Sequence, residues 1–188
     1  NEPDLTTQTG FDQSFDHATD TASAGFVDGG QYGAVAIHAS GDNGIVTKSG
    51  SGNYAVVTQT DGGPFTRFDG YDSTFDGGFK ASVDIYLDPA QIGAGKGFDY
   101  SVSVNKPDGT FLRDFIFHVG EDSGGNLHIS ASNNTGFDPL TDAQWAAALV
   151  KSDVTAAGWY TFEQSFRDLG NGTLAVEDTI TAVVPVDG

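Results

Sequence analysis

Cysteine and methionine are both missing from this chain of 188 residues. Without cysteine, the protein can form neither disulfide bonds nor thiolate metal sites. Because methionine is missing even at position 1, we expect a mature or excised domain of a longer multidomain protein. No apolar run reaches the roughly 18–20 residues that a membrane-spanning helix needs, so membrane insertion is not expected.

Positive charge is also scarce, because eight Lys and Arg face 26 Asp and Glu and the net charge is −18 at pH 7. Binding to a nucleic acid needs a basic stripe, which eight scattered cations do not form. An anionic membrane surface is disfavoured for the same electrostatic reason. The composition therefore excludes both of these partner classes.

Glutamate is rare as well, with four residues against 22 Asp. Short Asp side chains in glycine-rich turns suit calcium coordination and tight turns alike. The segment DGYDSTFD carries three carboxylates within eight residues, and a fourth lies shortly before it. We predict calcium as a cofactor here, with turn formation as the alternative use of the same side chains. The predicted ligands are Asp61, Asp69, Asp72 and Asp76.

Glycine and aromatic residues are abundant, with 26 Gly, 14 Phe, six Tyr and two Trp. This composition is typical of an all-β protein with many turns. Residues 1–10 have no apolar period and are predicted to be a linker, and residues 11–188 a single domain. One short helix is predicted near 139–150, where Pro139 suits a first turn and an alanine run follows.

About ten short strands alternate between apolar and polar residues, which predicts two packed antiparallel sheets. The expected fold is therefore an all-β sandwich of the jelly-roll type. The residues predicted to face the core are Ala81, Val83, Ile85 and Leu87; Phe98, Tyr100, Val102 and Val104; Phe111, Phe115, Phe117 and Val119; Leu127, Ile129 and Ala131; and Tyr160, Phe162 and Phe166.

The polar positions of these strands are predicted to line one shared surface of a sheet. Tyr, Ser, His and Asp side chains on a concave sheet suit the recognition of a sugar or a peptide, and an ordinary solvated face is the alternative. Exposed aromatics can stack on sugar rings, for which Tyr71, Trp145 and Trp159 are candidates beside their alternative role in packing. The predicted ligand-binding residues are Asp84, Tyr86, Ser101, Ser103, Asp114, His118, His128, Asn133 and Asn134.

Catalysis is not expected from the same residues. Glycosidases need two carboxylates at a fixed separation, and Asp84, Asp114 and Glu163 show no matched pair. Tyr86 with His118 or His128 would imitate the acid and base of a polysaccharide lyase, but a protein of charge −18 is a poor host for a polyanion. We assign no catalytic residue.

Five stretches together resemble a known kind of domain: SVDIYLDP, GFDYSVSVN, LRDFIFHVG, SNNTGFDP and GWYTFEQSFRD. They resemble the lectin-like, concanavalin-like jelly-roll domains of large secreted bacterial surface proteins. Some of those proteins carry sortase-like sorting tails and others calcium-binding RTX repeats. The resemblance implies an extracellular, non-catalytic module, and the Asp-rich composition is similar to ligand-binding domains of RTX adhesins.

The predicted function is therefore calcium-dependent ligand binding by a module of a bacterial adhesin at the cell surface. A cell-surface glycan is the first choice of ligand. A peptide whose terminal carboxylate is bridged by calcium is the second, because the ion would supply the missing positive charge. A polysaccharide-degrading lyase or glycosidase and a structural spacer domain are the remaining alternatives.

Overall fold

The structure is a computed structural model, and the chain divides into two compact units. One unit comprises Thr7–Thr74, and the other comprises Asn1–Thr6 together with Phe75–Gly188. The linker at 1–10 and the single domain at 11–188 stay predictions. The structure describes residues 14–15, 18, 26–27, 33–59, 65–66, 77–106, 108–133 and 139–183.

The unit Thr7–Thr74 contains two antiparallel strand pairs. Strand β1 (Phe26–Val27) pairs with β4 (Phe65–Thr66), and β2 (Gly33–Ala39) pairs with β3 (Asn53–Gln59). The buried Tyr54 anchors the second pair, because its hydroxyl donates to the carbonyl of Asp42 at 2.9 Å.

Within its described residues, the larger unit has seven strands in two antiparallel sheets. The strands are β5 (Gly78–Leu87), β6 (Gly97–Asn105), β7 (Phe111–Glu121), β8 (Leu127–Ser132), β9 (Lys151–Val154), β10 (Gly158–Asp168) and β11 (Leu174–Val183). One sheet has the order β11–β10–β5 and the other the order β6–β7–β8–β9. The alternating strands of the sequence are therefore confirmed as an all-β fold, and the jelly-roll connection stays a prediction.

The two sheets face each other across one apolar core. Phe117 of β7 and Phe162 of β10 have no exposed surface, and their rings meet edge to face with centroids 5.2 Å apart. Phe115 and Phe166 form a second such pair at 5.0 Å. Edge-to-face pairs are favourable beyond their buried area, so these contacts hold the sheets together as a sandwich.

Most of the predicted inward positions are confirmed by this core. Leu87, Val119 and Ile129 belong to it, as do the partly buried Val83 and Ile85. The prediction for Phe111 is wrong, because that side chain is 54% exposed. Phe111 lies opposite the exposed Asn105, just beyond a register shift in the pairing of β7 with β6, and this irregularity breaks the alternation on which the prediction depends.

Two short α-helices lie between the described strands of the larger unit. Helix α2 (Asp142–Ala147) lies within the predicted range, and Thr141 caps it through a capping box with Gln144. Helix α1 (Pro89–Ile92) was not predicted, since Pro89 reads as the end of a strand. The Asp88 side chain accepts from Ala90 and starts this helix instead. In the described part of the chain, no helix has the length and apolar character needed to cross a membrane.

Replacing Phe117 by Ala should destabilise the sandwich by about 3–5 kcal/mol, because a buried ring leaves a cavity between the sheets. Phe111→Ala is the matched control on the same strand. Its ring is exposed, so the change should stay within about 0.5 kcal/mol. Urea unfolding of both variants measures this, and an equal loss in the two would contradict the assigned core.

Candidate functional site

Three polar residues lie side by side on the outer face of the sheet β6–β7–β8–β9. Asp99 of β6 pairs directly with His118 of β7, and His118 pairs with Ser130 of β8. Ser132 lies two residues beyond Ser130 and therefore on the same face. Strand register thus brings Asp99, His118 and Ser132 together, and we call this group the triad.

The triad is joined by two short hydrogen bonds. His118 Nδ1 lies 2.8 Å from Asp99 Oδ1, and His118 Nε2 lies 2.8 Å from Ser132 Oγ. A carboxylate only accepts, so Nδ1 carries a proton, and in the neutral imidazole Nε2 then accepts from the Ser132 hydroxyl. The side chains of His118 and Asp99 are only 7% and 10% exposed, so the ring is held in this orientation. Asp99 Oδ2 is buried and has no partner within the described residues.

A second buried histidine lies further along the same face. His128 Nδ1 is 2.7 Å from Asp153 Oδ1, and its Nε2 is 3.2 Å from Asp122 Oδ2. The ring also packs against Trp145 of α2 at a centroid distance of 5.3 Å. Gly120 lies beside Trp145, and an added Cβ there would lie 3.0 Å from the Lys96 carbonyl oxygen and 3.4 Å from Trp145 Cζ2. His128 thus bridges two carboxylates and contributes no free ring nitrogen.

A cleft of about 530 Å³ opens beside this histidine. Asp122 at its wall accepts hydrogen bonds from the backbone and side chain of Asn126, from His128 and from the backbone of Gly124. These bonds, that of the Asn126 backbone first, hold the pKa of the Asp122 carboxyl well below its usual value. The carboxylate therefore stays charged at every ordinary pH and fixes the turn between β7 and β8.

The outer face of the other sheet, β11–β10–β5, carries an aromatic pair. Tyr86 of β5 lies opposite Trp159 of β10, and their rings meet edge to face at 5.6 Å. Both residues are partly exposed. On the next pair along, the Thr161 hydroxyl donates to Asp84. We call these four residues, Tyr86, Trp159, Asp84 and Thr161, the aromatic platform.

The aromatic platform continues into a polar surface. Lys80 Nζ and Glu163 Oε1 form an ion pair at 2.8 Å, and both side chains are partly exposed. Thr179 and Thr181 of β11 lie opposite Glu163 and Thr161 and are exposed. Hydroxyl, carboxylate and ammonium groups therefore extend from the aromatic pair along the same outer face.

The predicted ligand-binding residues fall on two different surfaces. Asp84 and Tyr86 lie on the outer face of β11–β10–β5, whereas the other described strand residues lie on the outer face of β6–β7–β8–β9. These two outer faces point away from each other in a sandwich, so the prediction of one shared surface is wrong. Alternation along a strand tells which face a residue takes, but not to which sheet the strand belongs. The second group is Ser101, Ser103, Asp114, His118 and His128.

Burial also differs within the second group. His118 and His128 are each only 5% exposed, although they were predicted to lie on an accessible ligand-binding surface. Ser101 and Ser103 are exposed, and the Ser103 hydroxyl donates to Asp114. Asn133 is exposed too, and its carbonyl accepts from Arg113 Nη1 at 3.1 Å.

The predicted calcium ligands and part of the predicted loop lie outside the described residues. Calcium therefore stays a prediction. The described residues include no group of three or more His, Asp or Glu arranged to hold a metal ion. The positions outside the described residues are Asp61, Asp69, Asp72, Asp76, Asn134 and Tyr71.

Sequence reasoning missed that Asp99 and Ser132 belong with His118. All three occupy outward positions of successive alternating strands, and this pattern could have indicated that they share one outer face. Their contact depends on the pairing of β6 with β7 and of β7 with β8, residue for residue. A slip of one residue in either pairing would move a member of the triad to the core face.

Replacing Asp122 by Asn should lower the melting temperature at pH 6, and the deficit should shrink as the pH falls toward 2. The pKa of Asp122 is lower in the folded protein than in the unfolded chain, where it is about 3.9. The stabilisation is therefore present above about pH 4 and is lost as the pH falls toward the folded pKa. Calorimetry between pH 2 and 6 measures it, and a deficit that did not depend on pH would contradict the assignment.

Replacing Asp178 by Asn should change the melting temperature in the opposite direction, so this variant serves as the matched control. Burial raises the pKa of Asp178 in the folded protein, although a hydrogen bond from Gln164 opposes this. The charged form is thus destabilising above the raised pKa and is relieved as the pH falls. Asp178→Asn should raise the melting temperature at pH 6, and its amide can also donate to Gln164 Oε1, which is buried and has no partner in the described part. A lower melting temperature at pH 6 would refute this.

The chain matches no protein-family model, no curated protein and no solved structure. The resemblance to lectin-like domains therefore stays a prediction, and the function has to be argued from the two outer faces of the sandwich.

Proposed function

We propose that the protein is an extracellular glycan-binding module of a bacterial surface protein, and that the aromatic platform is its sugar site. The observation that carries the proposal is the partly exposed pair of Tyr86 and Trp159, at a ring distance of 5.6 Å, beside the hydrogen-bonded Asp84 and Thr161. An apolar surface with a few polar groups at its edge is the general character of a small-molecule site.

A sugar fits this surface because a pyranose ring has an apolar face of C–H groups and an edge of hydroxyls. The aromatic rings offer the apolar surface, and an ordered aromatic side chain gives contact area at a low entropy cost. The Asp84 carboxylate can accept from sugar hydroxyls in charge-assisted bonds. Two adjacent strands, β5 and β10, hold these groups, so little ordering is needed when the ligand binds.

The glycan is neutral in this proposal. A protein of charge −18 repels carboxylated or sulfated polymers at long range. Lys80, the nearby cation on the same face, is already paired with Glu163 at 2.8 Å. No positive charge on the described platform therefore remains for an anionic sugar, and hydroxyl groups are the chemistry that it can recognise.

Trp159→Ala should weaken binding to the best neutral glycan of an array at least about tenfold, which corresponds to about 1.4 kcal/mol. Trp159→Phe should retain most of the affinity, because it keeps an aromatic surface. Phe111→Ala is the control, since it removes an exposed aromatic ring from the other sheet. Calorimetric titration of folded variants measures the effect, and equal affinity of Trp159→Ala and wild type would exclude the platform.

Calcium belongs to the proposal through Asp61, Asp69, Asp72 and Asp76, whose close spacing suits the six to eight oxygens that the ion takes. A glycan and peptide array in millimolar calcium and again in EDTA tests this. Glycan hits that need calcium would support the full proposal, and peptide hits would favour a terminal carboxylate bridged by the ion. No hits, together with a melting temperature that falls in EDTA, would leave a spacer domain.

A further inference from the structure

We propose that the triad Asp99–His118–Ser132 is a second, catalytic site that hydrolyses neutral carboxylic esters with Ser132 as the nucleophile. The proposal goes beyond glycan binding, since the triad and the aromatic platform lie on opposite outer faces of the sandwich. It depends on one observation: the pairing of three adjacent strands places a carboxylate, an imidazole and a hydroxyl next to one another.

The two distances are those that nucleophile activation requires. A general base must lie within about 2.6–3.2 Å of the proton that it removes, and a third group must orient the base. Both hydrogen bonds of His118 measure 2.8 Å, one to Ser132 Oγ and one to Asp99 Oδ1. The order carboxylate, Nδ1, Nε2 and hydroxyl is the order in which such groups act on unrelated folds.

Ser130 shows that this arrangement is particular to Ser132. It lies on the same face of the same strand and is the direct neighbour of His118 across the sheet. Its hydroxyl nevertheless donates to the Val150 carbonyl at 2.8 Å, not to an imidazole. Of these two neighbouring serines, only Ser132 is held against a base, and it is partly exposed whereas Ser130 is buried.

Asp99 acts as a positioning residue. Its Oδ1 accepts from His118 and so fixes the tautomer in which Nε2 is free to take a proton. Its Oδ2 is buried without a partner in the described part of the chain. A buried carboxylate that lacks one hydrogen bond gains from a neighbouring positive charge, so Asp99 stabilises the imidazolium formed during the reaction.

The reaction is an acyl transfer that balances without a metal or an oxidant. Ser132 Oγ attacks the ester carbonyl carbon while His118 Nε2 takes the hydroxyl proton. The tetrahedral intermediate collapses, the C–O bond of the ester breaks, and the alcohol leaves with that proton. Water then attacks the acyl carbon while His118 takes one of its protons. His118 passes this proton to Ser132 Oγ as the bond between that oxygen and the acyl carbon breaks, so the acid leaves and the hydroxyl of Ser132 is restored. A neutral ester is the substrate class, because the charge of −18 disfavours anionic substrates.

A fluorophosphonate probe tests the nucleophile directly, because it forms a stable covalent bond with an activated serine. Wild-type protein should gain one adduct by intact mass, and peptide mapping should place it on Ser132. Ser132→Ala should gain none, whereas the matched Ser130→Ala variant should label like the wild type. A folded wild-type protein that gains no adduct, or an adduct on another serine, would overturn the proposal.

Asp99→Asn separates catalysis from a purely structural hydrogen-bond network. A positioned base contributes about 10²–10⁴-fold, so the labelling rate should fall on the order of 100-fold and its pH profile should change. Hydrolysis of p-nitrophenyl acetate should fall in parallel. If the variant folds, as circular dichroism would show, but labels at the wild-type rate with an unchanged pH profile, the triad is structural only. Glycan affinity is a separate readout, so failure of one proposal does not decide the other.

Discussion

The contact between Phe117 and Phe162 is the interaction on which the larger unit depends. Each ring is fully buried, and each belongs to a different sheet, so their edge-to-face contact fixes which face of both sheets is internal. Once those faces are internal, every second residue of each strand has to point outward. The outer faces, on which both proposed sites lie, are therefore a consequence of the core and not an independent feature.

In the described part of the chain, a helix partly covers one of the two outer faces. Helix α2 lies over the sheet β6–β7–β8–β9, with Trp145 packed against His128 and beside Gly120. Ser123 donates from its backbone and hydroxyl to Asp142, which ties the helix to the turn between β7 and β8 and lowers the pKa of Asp142. Polar groups on that face lose water, and buried polar groups need partners. Hydrogen-bonded histidines therefore arise there, and a partly exposed aromatic platform arises on the other face.

Alternation was enough to predict the fold class and the inner face of most strands, because successive side chains of a strand point to opposite faces of the sheet. It predicted Val83, Ile85 and Phe162 as core residues, and the structure confirms them. It failed at the exposed Phe111, where a register shift between β6 and β7 breaks the alternation. It also placed Tyr86 and His118 on one surface, which is wrong. The sheet to which a strand belongs depends on pairing with distant strands, and the alternation within one strand does not show this.

Part of the abundance of Asp has a structural explanation that is independent of calcium. Four described Asp side chains accept a hydrogen bond from the backbone amide two residues later, at 2.8–2.9 Å: Asp88, Asp108, Asp122 and Asp168. This is the local bond by which Asp replaces a backbone turn, and it explains why Asp and not Glu is used, since the longer Glu side chain does not form it. Overall acidity is therefore no argument for a metal. The calcium proposal depends solely on the close spacing of the four Asp between 61 and 76. One turn needs only one Asp, so turn formation does not by itself explain why four occur in this segment.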